Sequence, residues 1–491
     1  MRQIGAGDRA AKKDVVVAQF GEGNFLRAFA DQMIDVANEK GLFDGGVAII
    51  KPINFGNLDA FKRQDLMYTV ILRGMQGGEK VVEKRAVNAI SQVIDPFEDY
   101  DSYLELARAE TLKIVVSNTT EAGIIYDEND KFESRPANSF PGKLAQFLFA
   151  RYEHFCGEAE RGLIMLPCEL IEQSGTKLHE CVMKVIALWK LPEDFAKWIN
   201  ESCIFCNCLV DRIVSGYPAK EAEALERELL GYHDELMVVG EPFGLWVIAS
   251  GKHEEVAAAF PLDRAGLPVV FTDDERPYRE RKVRLLNGAH TSTVLAAYLM
   301  GLETVDEAMA QPAVRAFIEK TLYREIAPTV ALPRDEVRAF ADSVIERFEN
   351  PFLAHQLLSI ALNSVSKWKS RLLPTFKDSL FETGVLPDCI TFSLAALAAF
   401  YRSGERGDGC LIGRRSIGEG NTYEIRDDAH VLDFFADNAA LSAEDFVSKF
   451  LSNTEFWGED LSTIAGLQEA ILAHLNEIDS KGMAAAVKAV V

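Results

Sequence analysis

The sequence predicts an α/β N-terminal domain followed by a mainly α-helical C-terminal domain. Short apolar runs alternate with helical patterns in the first half, whereas apolar residues recur at helical spacing through most of the second. A glycine-rich turn follows the first apolar run. A polar stretch at residues 265–276 lies between the two patterns, so we expect domains at residues 1–275 and 276–491.

Strands alternate with helices in the N-terminal half. The apolar runs at residues 15–20, 46–50, 114–118 and 163–167 are predicted strands. This alternation predicts a parallel sheet with helices on both faces. Residues 68–89 are expected to add inserted strands around a glycine-rich turn.

The turn after the first strand is a candidate nucleotide site. Gly21 and Gly23 precede a helical pattern, and such glycines let a pyrophosphate approach the backbone at a helix N-terminus. Leu26 occupies the place of the usual third glycine, so a plain tight turn explains the pattern equally well.

The end of the second strand bears on the choice of nucleotide. Lys51 to Asn54 occupy the place where an acid usually binds the ribose hydroxyls, so the choice between NAD and NADP stays open. Lys51 is expected to be a solvated strand end, with a contact to a 2′-phosphate as the alternative.

The C-terminal half is predicted to be helical. Its expected helices cover residues 293–299, 313–322, 334–348, 351–364, 387–401, 431–437, 443–451 and 461–478. Residues 404–420 are rich in Gly and Arg and are predicted to form a loop.

Residues 278–291, at the start of this half, contain Lys282, Asn287 and His290. Asn287 and His290 are three residues apart and share a helix face, and Lys282 is expected to precede the helix and turn toward them. A lysine of lowered pKa takes a proton, an amide stabilises a developing oxyanion, and an imidazole holds a hydroxyl. A solvated charge, a helix N-cap and a core histidine would explain each residue singly. Together they predict metal-free oxidation of an alcohol, at the junction of two domains where small-molecule sites are common.

The composition limits which binding partners and which cellular compartment we expect. The net charge of −23 argues against a nucleic-acid partner. Without a signal-peptide pattern or a long apolar run, we expect a cytoplasmic protein with reduced thiols and no membrane partner. The cluster Cys203, Cys206 and Cys208 lies in an apolar run and is predicted to be buried rather than metal-binding, so no metal is expected.

These residues resemble those of the long-chain polyol dehydrogenases, the mannitol dehydrogenase family. The family's catalytic Lys, Asn and His match Lys282, Asn287 and His290, and the resemblance covers almost the whole chain, including residues 64–69, 207–213 and 241–246. It implies a Rossmann-type N-terminal domain that binds NAD, with NADP not excluded. The cofactor contacts that it implies are Gly21, Gly23, Asn24, Phe25, Arg27, Asn118, Thr120 and Glu121.

Residues 118–123, 139–144, 166–171 and 282–291 are more similar to family members that interconvert D-altronate and D-tagaturonate. A six-carbon sugar acid is then the implied substrate. The family's substrate-binding Lys matches Lys367, and Arg371 is a candidate clamp for the carboxylate, although a basic helix end would explain both. Ser174 stands where the family often has a second oxyanion-stabilising Asn, and its hydroxyl is expected to donate instead. His355 is predicted to belong to the core, with a position lining the site as the alternative.

Other functions stay open at this point. Fructuronate reduction or mannitol-type polyol oxidation would use the same fold, and a non-catalytic dinucleotide-binding sensor is the alternative from another class. A zinc dehydrogenase is disfavoured, because no Cys and His residues have suitable spacing. The expected assembly is a monomer or a small homo-oligomer.

Overall fold

The structure, a computed structural model, describes residues 1–119, 122–402, 404–415 and 421–491. The chain divides into two compact units. The first consists of Met1–Gly74 and Lys80–Glu275, and the second of Met75–Glu79 and Arg276–Val491.

The first unit is built around strands. They are β1 Val15–Phe20, β2 Gly46–Ile50, β3 Tyr68–Gln76, β4 Glu79–Val87, β5 Ile90–Ile94, β6 Ile114–Ser117, β7 Ile164–Pro167, β8 Ile204–Phe205, β9 Asn207–Asp211, β10 Val214–Gly216, β11 Val238–Gly240, β12 Leu245–Ala249 and β13 Val269–Thr272. The strands expected within residues 68–89 are β3 and β4, whose adjoining ends lie in the Met75–Glu79 segment of the second unit.

Six of these strands form a parallel sheet in the order β5-β2-β1-β6-β7-β8. The chain first builds outward from β1 through β2 to β5 and then crosses to β6 on the other side. This reversal is the topological switch point at which open α/β sheets bind nucleotides. Phe20 lies beside Ile50 and Ser117, so the carboxyl ends of β1, β2 and β6 meet at one edge.

Helices cover this sheet because its strands are apolar on both faces. Alternate residues of one strand enter different cores, as Val17 and Ala18 of β1 do. The helices of the first unit are α1 Asn24–Leu26, α2 Gln32–Glu39, α3 Asp59–Arg63, α4 Tyr100–Ala107, α5 Phe140–His154, α6 Ser174–Leu188, α7 Glu193–Ser202, α8 Ala222–Leu225 and α9 His253–Ala259. The predicted Rossmann-type sheet is thus confirmed.

The second unit is mainly helical. Its helices are α10 Arg276–Arg281, α11 Gly288–Leu299, α12 Val305–Ala310, α13 Pro312–Lys320, α14 Arg334–Phe348, α15 Leu357–Ile360, α16 Ser364–Arg371, α17 Leu373–Thr383, α18 Asp388–Arg402, α19 Ala429–Asp437, α20 Ala443–Leu451, α21 Thr454–Trp457, α22 Leu467–Lys481 and α23 Met483–Val490. Helix α11 is apolar around most of its circumference and packs against α15, α16 and α18, which makes it the central helix of this unit.

Two predictions for this unit are wrong. The single helix expected over residues 351–364 is replaced by α15 and the start of α16, because Ala354 and Asn363 adopt left-handed backbone conformations that end helices. The loop expected at 404–420 contains β14 Glu405–Arg406 and β15 Leu411–Arg414, which pair with β16 Thr422–Ile425. Residues 403 and 416–420 lie outside the described part of the chain. Within that part, every helix is too short or too polar to cross a membrane.

Candidate functional site

The glycine turn follows β1 at the carboxyl edge of the parallel sheet. Gly21 has φ +129°, and a Cβ there would lie 3.0 Å from the carbonyl oxygen of Asn118 and 3.3 Å from Leu26 Cδ1. Both the backbone conformation and the close approach therefore require glycine. Gly23 is exposed, with φ −68° and open space where a Cβ would stand. Its backbone is accessible to a ligand at the start of the following helix.

Arg27 supports this turn from inside the unit. Its guanidinium is buried, donating to the carbonyl of Leu236 and, at 2.6 Å, to Asn24 Oδ1. The contact between Arg27 and the cofactor that the resemblance implies stays a prediction. Asn24 itself is exposed, and half-buried Phe25 stacks on Phe29 with ring centroids 4.9 Å apart.

Asn118 joins two strand ends at the same edge. Its side-chain amide donates to the backbone carbonyl of Cys168 at 2.7 Å. Its backbone carbonyl oxygen faces Gly21. The side chain is therefore committed to the sheet edge, and the backbone closes one side of the turn. Thr120 and Glu121, the other expected contacts in this segment, lie outside the described residues.

An open pocket of about 680 Å³ lies at this edge. Its lining includes Pro52, Ile53, Thr119, Ile125, Ser139 and Phe140. These residues follow β2 and β6 or begin α5, which places the pocket beside the switch point. Its volume is within the range of small-molecule sites.

Lys51, at the end of β2, is not solvated as predicted. It is 4% exposed, forms an ion pair with Asp95 and donates to the carbonyl of Gly56 at 3.0 Å. A lysine at a strand end reads as solvated from sequence, because the acid that buries it lies 44 residues further along the chain. Its charge is thus already balanced within the protein.

Lys282 and Asn287 begin and end a π-helical segment, Lys282–Asn287, that continues α10 directly into α11. The amide of Gly288 reaches back to the carbonyl of Val283, the spacing of a π-helix. Lys282 therefore lies inside the helix rather than before it, and the Asn287 side chain makes no capping hydrogen bond. Residues five apart come to one face of a π-helix, so Lys282 joins Asn287 and His290 on one side.

His290 is the residue of α11 that is not fully buried. Its imidazole stacks on the ring of Phe348, with centroids 4.1 Å apart and planes 14° apart. The imidazole of His355 meets it edge-on at 5.6 Å. In the described part of the chain, neither imidazole has a side-chain hydrogen bond, so ring nitrogens of both are available to a ligand.

Basic side chains converge on His290. Burial is the main reason that the pKa of His290 lies well below its usual value, and electrostatic interactions with His355, Arg347, Arg371 and Lys367 lower that pKa further. Arg371 donates to Thr291 Oγ1 at 3.3 Å, and Lys367 donates to the carbonyl of Ile360 at 2.9 Å. This arrangement favours a neutral His290 beside a group of cations able to hold an anion.

Lys367 and Arg371 lie one turn apart on α16, as their spacing predicts. Burial and the charge of Arg371 lower the pKa of Lys367, and burial lowers the pKa of Arg371. A solvated helix end would not bury its cations or place them so close together.

Ser174 lies inside the first unit, away from solvent. It is completely buried at the start of α6, where its hydroxyl donates to the carbonyl of Pro167 and accepts from the amide of Cys208, both at 3.2 Å. Both hydrogen bonds are made within the protein, and they make the hydroxyl a link between β7, α6 and β9.

The cysteine cluster is buried, as predicted. Cys203, Cys206 and Cys208 are free thiols, and burial raises the pKa of each. The described residues contain no group of three or more His, Cys, Asp or Glu arranged to hold a metal.

Sequence reasoning missed three neighbours of His290, namely Thr291, Arg347 and Phe348, and favoured a core position over a site position for the fourth, His355. His355 was expected in the core, yet it is only half-buried and faces the His290 ring. A non-helical segment between α14 and α15 carries it there, and no local pattern signals such a contact. Thr291 was adjacent to the predicted triad, which was the only signal for any of the three missed residues.

Models of two protein domains match most of the chain. The mannitol dehydrogenase Rossmann domain matches residues 15–259, and the mannitol dehydrogenase C-terminal domain matches residues 274–479. Altronate oxidoreductase of Enterobacter sp. (strain 638) is 44% identical over 479 residues, 96% of each chain. Altronate oxidoreductase of Escherichia coli O7:K1 (strain IAI39 / ExPEC) is 43% identical over 479 residues, again 96% of each chain.

Solved structures share the fold at lower identity. A substrate-free D-sorbitol dehydrogenase aligns with a TM-score of 0.78 and 22% identity, covering 97% of this chain and 95% of the other. A ternary complex of Pseudomonas fluorescens mannitol 2-dehydrogenase with NAD and D-mannitol aligns with a TM-score of 0.64 and 21% identity, covering 97% and 94%. From the matches to both domain profiles and these relatives, we conclude that the chain belongs to the mannitol dehydrogenase family.

Proposed function

We propose that this protein is an NAD-dependent oxidoreductase that interconverts D-altronate and D-tagaturonate, a tagaturonate reductase of hexuronate catabolism. One observation carries the proposal: Arg371 donates to Thr291, the neighbour of His290, with Lys367 one turn away on α16, and Lys282 and Asn287 lie in the π-helical segment that continues into the helix of His290. Groups for alcohol chemistry thus stand beside groups for an anion, which suits a hydroxy acid better than a neutral polyol. The names of the relatives at 43–44% identity support the same substrate.

The first unit has features that fit a dinucleotide. The open backbone at Gly23, the close packing of Gly21 on Asn118 and the adjacent pocket suit a pyrophosphate with its adenosine. Ion pairing of Lys51 with Asp95 leaves this lysine balanced, which supports NAD over NADP. When bound, the nicotinamide would accept hydride from the substrate carbon or return it.

The second unit supplies the proton chemistry. In oxidation, Lys282 takes the proton of the reacting hydroxyl, and in reduction it returns one. The Asn287 amide donates to the same oxygen as its negative charge grows. Neutral His290 orients a neighbouring hydroxyl through an available ring nitrogen.

Lys367 and Arg371 hold the substrate carboxylate. The hydroxyl oxygen of Thr291 accepts a hydrogen bond from one terminal nitrogen of Arg371. This hydrogen bond restrains the direction of the guanidinium. A guanidinium held in this way pairs with a carboxylate through its remaining donors, with Lys367 one turn away as a second positive charge.

A substrate panel tests this function. We expect NADH oxidation with D-tagaturonate to give a kcat/KM at least about 100-fold above that with D-fructuronate or D-fructose, a difference of roughly 3 kcal/mol. A chelator is expected to leave the rate unchanged. A preference for fructuronate or fructose would assign one of the other two activities, and NADH binding without turnover of any of them would indicate a sensor.

A further inference from the structure

We infer that His355 is a second substrate-binding imidazole and the residue that determines which epimer of the sugar acid is accepted. The inference rests on the proposed function, because it concerns how that site reads the hydroxyl groups of its substrate.

His355 lies next to His290. Its ring lies 5.6 Å from that of His290 at an interplanar angle of 85°, so the two imidazoles meet edge to face. Both side chains are partly exposed, so ligand atoms can reach them. Adjacent hydroxyl-bearing carbons of a sugar offer two oxygens a few ångströms apart, a spacing that two neighbouring imidazoles match.

The imidazoles of His290 and His355 can both form hydrogen bonds with a ligand. Neither ring bonds a side chain in the part of the chain that the structure describes. Burial lowers the pKa of His355, as it does that of His290, so both rings are neutral near pH 7. A neutral imidazole has one donor and one acceptor nitrogen and can pair with a hydroxyl in either sense.

Backbone contacts hold the segment that carries His355 in place. The backbone carbonyl of His355 accepts from the amide of Val305 at 3.0 Å, and Gln356 forms an isolated bridge with Thr304. These contacts attach the segment between α14 and α15 to the start of α12. A fixed imidazole can discriminate hydroxyl configuration, whereas a mobile one would adapt to either epimer.

A second imidazole at this place would let the site distinguish two epimers of the substrate. D-tagaturonate and D-fructuronate have the same carboxylate and carbonyl but differ in configuration at one hydroxyl-bearing carbon. Lys367, Arg371 and Lys282 therefore cannot separate them. A second imidazole beside His290 can, because a hydroxyl of the wrong configuration leaves one ring nitrogen unpaired in a partly buried site.

The experiment measures kcat/KM for both keto acids in the wild type and in His355→Ala, His355→Asn and His474→Ala. His474 is also half-buried with a lowered pKa, but it packs edge-on against Phe392 instead, so it controls for loss of an imidazole. We expect His355→Ala to reduce the preference for tagaturonate roughly tenfold or more, His355→Asn to retain part of it and His474→Ala to leave it unchanged.

The two proposals fail differently in this assay. If the wild type prefers tagaturonate and both His355 variants keep its ratio, the role of His355 is wrong and the proposed function stands. If the wild type reduces neither acid, the proposed function is wrong and the role of His355 falls with it. If His355→Ala does not fold, the ratio for His355→Asn decides.

Discussion

The imidazole of His290 lies flat against the ring of Phe348, with centroids 4.1 Å apart and planes 14° apart. This stack fixes the ring plane of His290 and keeps water from one of its faces. It thereby contributes to the burial that lowers the pKa of His290. The aromatic partner is thus as much a part of the proposed site as the charged residues.

Replacing Phe348 is expected to change the pH profile. A lowered pKa keeps His290 neutral and competent to lower pH, so Phe348→Leu, which admits water, should raise that pKa. The acidic limb of kcat/KM then moves to higher pH. The profile is measured in the direction of reduction. Phe348→Tyr keeps the stack and should keep the wild-type limb. An unmoved limb in Phe348→Leu would show that His290 does not control it.

The glycine turn offers a matched pair of variants. Gly21→Ala places a Cβ 3.0 Å from the carbonyl of Asn118 at φ +129°, so it should cost about 1–3 kcal/mol of stability and weaken NADH binding. Gly23→Ala meets open space, so its stability should be near wild type while NADH binding still weakens, because the methyl group stands where the pyrophosphate approaches. Thermal unfolding and calorimetric titration with NADH check both. Unchanged NADH affinity in both variants would place the cofactor elsewhere.

The charges on α16 should select for an acid. Lys367→Met or Arg371→Met should raise KM for tagaturonate about 10- to 100-fold, because each removes a charge-assisted hydrogen bond worth roughly 1.5–3 kcal/mol. Residual activity on uncharged fructose should not fall with it. Lys369→Met, on the same helix, removes a charge that has no place in the proposed site and is the control. An equal loss on both substrates would mean that the cations only maintain the fold.

The buried hydroxyl of Ser174 should matter for stability and not for catalysis. Ser174→Ala leaves the carbonyl of Pro167 and the amide of Cys208 without this partner, at a cost of about 1–3 kcal/mol. Denaturant unfolding should show that loss, while the turnover rate per folded molecule stays at the wild-type level. If stability were unchanged and turnover fell by about 100-fold, the loss expected for an oxyanion donor, Ser174 would belong to the oxyanion site after all.

The sequence predicts the parallel sheet well because buried parallel strands are continuous apolar runs, which β1, β2 and β6 display. It misses β15 because that strand is short and contains Gly413, which packs against the ring of Tyr423. The π-helical course of Lys282–Asn287 has no signature distinct from an α-helix. Contacts between distant segments, such as Lys51 with Asp95 or His290 with His355, depend on tertiary packing that local patterns do not encode.

In the proposed mechanism, Lys282 transfers the proton during reduction of a sugar acid. The most direct measurement is the single-turnover rate of NADH oxidation by Lys282→Met with saturating D-tagaturonate, alongside its NADH affinity and thermal unfolding. We expect a rate about 10²–10⁴-fold below wild type, with NADH affinity and unfolding temperature unchanged. A folded Lys282→Met protein that binds NADH and reduces tagaturonate at near wild-type rate would contradict the account.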